Sequence, residues 1–202
     1  MAEADTDDFD RYRETAKYRS HHVIAPGAVT LGGMRVLFTA TQIAARVEAL
    51  AAEIARTIPG EFVIVGLLKG AAVFVADLIR ALARAGARPR DRVHAARQLR
   101  SRHREQRRGA ASRRCPGLPR RPLLLVDDIV DTGRSIAYAA AELYRRGIGE
   151  LWICALLDKP QRRQIEIAID FVGFSVPDLF VVGYGTDYAE KCRHLPYVGA
   201  IE

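Results

Sequence analysis

The sequence predicts an α/β fold: a twisted, mostly parallel sheet flanked by helices, in a single domain over residues 1–202. Three observations predict it. Short apolar runs alternate with amphipathic stretches through the middle of the chain. Those runs are continuous rather than alternating, as in strands buried on both faces. One of them, Leu123–Val126, leads straight into carboxylates and a Thr-Gly-Arg-Ser turn, at the strand ends where open α/β sheets gather ligands.

The elements follow in order. Residues 1–35 are polar and mixed, with Pro26, Gly27, Gly32 and Gly33 marking loops and His21 and His22 read as solvated. Thr39 and Gln42 have capping-box spacing. Ile43, Val47, Leu50, Ile54 and Ile58 then recur every three to four residues, a helix stopped by Pro59-Gly60. Phe62–Leu68 reads as a buried strand and Ala71–Ala85 as a helix with Gly86 past its end. Residues 87–121 show neither period. Leu123–Val126 is a strand, Ser135–Arg146 a helix closed by Gly147, and Leu151–Leu157 another strand. Phe171–Val176 and Phe180–Tyr184 are short strands around Pro177-Asp178, and no internal repeat is present.

Composition narrows the function classes. A chain of 202 residues, 49% hydrophobic, can build one full core. The apolar stretch Ala71–Ala83 is interrupted by Asp77 and Arg80 and is too short to span a bilayer. The acidic start, MAEADTDDFD, lacks the basic and apolar regions of a secretory signal, so a soluble, cytoplasmic protein without a membrane partner is expected. Cys115, Cys154 and Cys192 have no metal-ligand spacing, and Cys154 reads as a buried thiol. The net charge of +7 is local: residues 88–121 hold thirteen Arg against Asp91 and Glu105, leaving −4 for the rest. Nucleic acid is therefore not an expected partner of the general surface.

Asp127 and Asp128 close the strand and point to opposite sides of it, with Asp131 in the turn beyond. A solvated acidic loop with Asp131 as a helix cap is the plain alternative. The flanking strand and the turn favour a site: Thr132 and Ser135 offer hydroxyl donors, and Gly133 lets the backbone approach phosphate oxygens. Carboxylates beside a phosphate cradle make sense if they serve Mg²⁺ or sugar hydroxyls, which points to a phosphorylated sugar.

Residues 123–135 resemble the thirteen-residue signature of the type I phosphoribosyltransferases, the element that binds 5-phosphoribosyl-1-pyrophosphate. Further segments narrow the resemblance to the hypoxanthine–guanine phosphoribosyltransferases: Gly66-Leu67-Leu68-Lys69-Gly70-Ala71, Leu157-Asp158-Lys159-Pro160, Phe171-Val172-Gly173-Phe174, Val176-Pro177-Asp178, Phe180 to Tyr184, and Asp187-Tyr188. The similarity covers roughly 36–86 and 122–200 in the family's order. It implies the type I fold, with a core over about 36–182 and a small hood from 1–35 and 183–202.

The resemblance also implies roles. Asp127 and Asp128 match the pair that meets the ribose hydroxyls and the Mg²⁺, Asp127 standing where the family often has Glu. Asp131 matches the proton acceptor beside purine N7, and Asp131, Thr132, Gly133, Arg134 and Ser135 match the 5′-phosphate loop. Lys69 and Gly70 fall in the pyrophosphate loop, where the family has a cis peptide just before the lysine, and Arg193 matches a second pyrophosphate contact. Lys159 matches the donor to the purine 6-oxygen, and an ammonium, having only donors, disfavours the 6-amino group of adenine. Phe180 matches the aromatic lid over the base, the backbone of Val181 the base-edge reader, and Asp187 a further Mg²⁺ contact.

The implied reaction is displacement of pyrophosphate from C1′ by a purine nitrogen, with hypoxanthine and guanine as acceptors, Mg²⁺ as cofactor and a homodimer or homotetramer as assembly. The contrasting class is a non-catalytic nucleotide- or RNA-binding regulator on the same scaffold, using residues 88–121.

That segment departs from the family, which has there a strand, a mobile Ser-Tyr loop and another strand. Residues 98–107 could be encoded CAG CTA CGG TCA CGG CAC CGA GAG CAG CGG, followed by C. Read one nucleotide later, that string gives Ser-Tyr-Gly-His-Gly-Thr-Glu-Ser-Ser-Gly, which resembles the family loop. A pair of compensating frameshifts, with the frame restored near Arg120, accounts for it. A chain with this segment as written is expected to lack the lid and one or two strands, and to bind substrate less tightly and turn over weakly.

Overall fold

The computed structural model describes residues 29–31, 34–95 and 121–201. In chain order the elements are β1 (Val29–Leu31), β2 (Met34–Phe38), α1 (Ala40–Thr57), β3 (Glu61–Gly66), α2 (Ala72–Arg84) and β4 (Arg88–Ala95), then β5 (Leu123–Val130), α3 (Arg134–Arg145), β6 (Leu151–Asp158), β7 (Phe171–Ser175), β8 (Phe180–Val182) and β9 (Val198–Ile201).

Local chemistry sets the helix ends. Thr39 caps α1 reciprocally: its hydroxyl accepts from Gln42 N at 3.3 Å, and its own N–H donates to Gln42 Oε1 at 2.9 Å. Ile43, Val47, Leu50 and Ile54 form the buried stripe of α1. Helix α2 buries Phe74, Val75, Leu78 and Leu82, and its end passes through Gly86 at φ +77°.

Five parallel strands in the order β4-β3-β5-β6-β7 form the central sheet. Alternate residues of β3 and β5 serve opposite faces. Ile64, Leu124 and Val126 pack with α1 and α2, while Val63, Val65, Leu123 and Leu125 pack with Ile136, Ala140 and Leu143 of α3. Strand β4 corrects the expectation that residues 87–121 contribute no regular element. It is an edge strand, tied through its main chain to β3, so it needs no apolar alternation and tolerates Pro89. Residues 1–28, 32–33, 96–120 and 202 lie outside the described residues. The expectations for His21, His22, Cys115, the lid and the shifted reading frame all fall there.

Strand β5 also runs further than predicted, to Val130. Its ladder with β6 continues as far as Val130–Asp158, so Asp127 and Asp128 lie within the strand.

A second, antiparallel sheet has the order β1-β2-β9-β8. Its strand β8 stops at Val182, before the strand predicted to Tyr184 ends, because Gly183 (φ +97°) and Tyr184 (φ +48°) turn the chain. The two sheets share one core: Phe38 stacks on Phe174 at 4.1 Å, and Val181, Val198 and Ala200 join the same apolar cluster. Among the described residues, no helix is long and apolar enough to cross a membrane.

Candidate active site

Three chain segments meet at Gly70. Beyond β3, Leu67 N–H donates to Val126 O at 2.9 Å, the Leu68–Lys69 peptide is cis, and Ala72 N–H turns back to Lys69 O at 3.2 Å. A β-carbon on Gly70 would lie 1.8 Å from Asp128 Oδ2, so the glycine is what lets this turn rest on the carboxylate. On its other side, a β-carbon on Gly185 would lie 2.2 Å from Gly70 O.

These segments open on a cavity of about 610 Å³. Its wall includes Lys69, Gly70, Asp128 and Asp131 from the sheet side. Lys159, Phe180, Val181, Asp187 and Arg193 close it from β6, β8 and the following loop. The structure therefore brings nine of the predicted site residues to one wall. Asp127 is not among them. It shares the parity of Leu123 and Leu125, toward α3, and its Oδ1 accepts the Asp128 N–H at 3.1 Å. The opposite facing of the two carboxylates is the one strand alternation requires.

The 132–135 turn also lies off that wall, beyond Asp131. It forms the start of α3, whose first N–H groups have no intrahelical acceptor and suit an anion. Gly133, not Asp131, is the cap residue; its φ is +83°, and a β-carbon there would meet Ile165 O at 2.6 Å. The turn is braced from outside: Gln164 and Ile165 N–H donate to Thr132 O at 3.0 and 3.1 Å. Arg163 donates to Asp131 O at 3.0 Å and pairs with Asp158.

Two contact groups stand on the wall. In one, the buried Lys159 donates from Nζ to Leu179 O at 2.6 Å. Burial pushes its ammonium below the ordinary lysine value, opposed by the carboxylates of Asp131 and Asp178. Phe180, 52% exposed, meets Tyr188 edge-on with ring centroids 5.5 Å apart. In the other group, Asp187 Oδ2 accepts the Glu190 N–H at 2.7 Å while Oδ1 pairs with Arg193, and Arg193 also donates to Gly185 O at 2.6 Å. Lys69 Nζ lies 2.7 Å from Glu190 Oε1.

Sequence reasoning missed Arg162, Asp178 and Glu190. Arg162 Nε donates to Asp131 Oδ1 at 2.8 Å, and its Nη1 to Asp178 Oδ1 at 3.1 Å. The Arg162-Arg163 pair two residues past Pro160 was the available signal.

Asp128 and Asp187 both face the cavity, and among the described residues no cluster of three or more His, Cys, Asp or Glu could hold a metal. Two carboxylates are what Mg²⁺ ordinarily takes from a protein when substrate phosphates and water supply the remainder, so the residues present fit that ion.

A sheet of this order, with a cavity at its carboxyl ends and a helix start beside it, is an open α/β protein of the class that takes its ligand beyond the strand ends. Residues 37–189 match the family described as the phosphoribosyl transferase domain, and the chain belongs to that family. Its fold is the type I phosphoribosyltransferase fold. A hypoxanthine phosphoribosyltransferase of Salmonella typhimurium is 52% identical over 79 residues, 39% of this chain and 44% of that protein. A hypoxanthine-guanine phosphoribosyltransferase of Bacillus subtilis is 51% identical over 83 residues, 41% of this chain and 46% of that protein. These matches thus span less than half the length of either relative. Across the fold, the crystal structure of a Leishmania tarentolae HGPRT-ase in complex with GMP superposes with a TM-score of 0.71 at 28% identity, covering 86% of this chain and 99% of that one. The regulator alternative draws no support from these relatives.

Proposed function

We propose that the protein transfers the 5-phosphoribosyl group of phosphoribosyl pyrophosphate to hypoxanthine or guanine, releasing pyrophosphate and the nucleoside monophosphate. The observation that carries this reading is the single cavity shared by a base-reading group, Lys159, Phe180 and Val181, and an anion-binding group, Lys69 and Arg193, with Asp128 and Asp131 on the same wall. The likeness to an enzyme solved with GMP supports it.

In this reading Lys159 donates to the 6-oxygen of the base, and Phe180, already half-exposed, lies over the ring. Asp131 accepts the purine proton near N7, its carboxylate oriented by Arg162. The 132–135 turn and the start of α3 hold the 5′-phosphate, and Asp128 meets the ribose hydroxyls while Asp127, facing α3, accepts the Asp128 N–H and supports the strand end. Lys69 and Arg193 receive the charge that grows on the departing pyrophosphate. Mg²⁺, held by Asp128 and Asp187 together with the diphosphate, would supply further neutralisation of that charge. A homodimer or homotetramer and a cytoplasmic location belong to the same reading.

The test is a purine panel with phosphoribosyl pyrophosphate and Mg²⁺, run on this protein and on a version carrying Ser-Tyr-Gly-His-Gly-Thr-Glu-Ser-Ser-Gly at 98–107. IMP and GMP are expected, without AMP, and faster from the restored loop. No nucleotide from any 6-oxopurine with either protein contradicts the proposal.

A further inference from the structure

Three cations on the cavity wall are paired with carboxylates: Arg162 with Asp131 and Asp178, Arg193 with Asp187, and Lys69 with Glu190. Asp131 and Asp187 have tasks in the proposed reaction. Glu190 has none, yet it reaches Lys69 across 121 positions of chain. Its side chain is 76% exposed, so burial does not put it there.

A strained turn does. Ala189 and Glu190 adopt left-handed φ values of +49° and +64°, a region that L residues rarely occupy and seldom in succession. The turn is held by the Glu190 N–H on Asp187 Oδ2 and by two hydrogen bonds between Tyr188 and Lys191 at 3.2 and 2.9 Å. It delivers a carboxylate onto the one ammonium of the Lys69-Gly70 turn.

We infer that Glu190 is a resident competitor for the diphosphate: in the free site its carboxylate takes the Lys69 contact, and the incoming diphosphate must displace it. This rests on the reading proposed above. Two anions cannot share one exposed ammonium without repulsion, so Glu190 weakens the binding of the diphosphate-bearing substrate and speeds departure of the diphosphate product. It has no such effect on a ligand that lacks a diphosphate.

Calorimetric titration of the full chain with phosphoribosyl pyrophosphate and Mg²⁺ tests this, using wild type, Glu190→Gln, Lys69→Ala and the double variant. Glu190→Gln is expected to bind about three- to five-fold tighter than wild type, the scale of one exposed ion pair. Its affinity for IMP should not change. In the Lys69→Ala background the gain should vanish, because no contact remains to be contested. Equal or weaker binding by Glu190→Gln overturns the inference, as does an undiminished gain without Lys69, which would mean general repulsion. Should wild type form IMP while the two proteins bind alike, only the inference fails; if no form binds the substrate, the proposed function fails with it.

Discussion

Gly70 and Asp128 are in such close register that a methyl group on the first would overlap a carboxylate oxygen of the second, 1.8 Å away. The sheet fixes Asp128, which is buried within β5, so the turn carrying Lys69 has only backbone to place against it. Gly70→Ala is therefore expected to push the Asp128 carboxylate aside and lower the affinity for phosphoribosyl pyrophosphate about tenfold, the scale of a typical overpacking strain. In an Asp128→Ala background the same substitution should cost much less. A calorimetric double-mutant cycle reads the coupling, and additive losses would contradict the contact.

Lys159 gives a pH signature. Burial depresses its ammonium, so between its folded and unfolded values the unfolded chain binds more protons. Stability from this group consequently rises as pH climbs through that window, which ends at the unfolded value near 10.4. Carbon-13 NMR of labelled lysine Cε groups should show Lys159 titrating below the ordinary lysine value. A midpoint at the ordinary lysine value would refute the burial argument.

Glu142 gives a slope of the same sign at acid pH, because its folded value is lowered too. Burial raises its carboxyl, but hydrogen bonds from Arg145 and Arg146 more than offset that, and the net shift is downward. Its stabilisation is present above the unfolded value near 4.3 and is lost as pH falls through the lower folded value. Glu142→Gln should cost about 1.5–3 kcal/mol in urea unfolding at pH 7. The difference from wild type should shrink as pH drops below that window; a cost independent of pH would contradict the ion-pair account.

Much of this was legible because the signals are local. The Thr39–Gln42 box, the Ile43-to-Ile54 stripe and the glycines after α2 and α3 each encode their element within a turn or two of helix. Strand β4 was not legible, since an edge strand is specified by its neighbour's backbone and not by its own side-chain pattern. Strands β2 and β9 were missed for a similar reason: each is five residues or fewer and finds its partner across most of the chain. In the site, the residue types of the strand-end motif announced themselves. Arg162 and Glu190 did not, because what they touch, Asp131 and Lys69, lies 31 and 121 residues away. Which of Asp127 and Asp128 faces the cavity required knowing which helix covers which face of β5.

The central claim is that the cavity at the carboxyl ends of β5 and β6 performs phosphoribosyl transfer to a 6-oxopurine with Asp131 as proton acceptor. Initial rates of IMP formation from hypoxanthine, phosphoribosyl pyrophosphate and Mg²⁺, compared between wild type and Asp131→Asn, test it most directly. The account predicts IMP from wild type and a loss of about 10²- to 10⁴-fold in kcat for Asp131→Asn, with phosphoribosyl pyrophosphate still bound. IMP formation at an undiminished rate in the variant would contradict it.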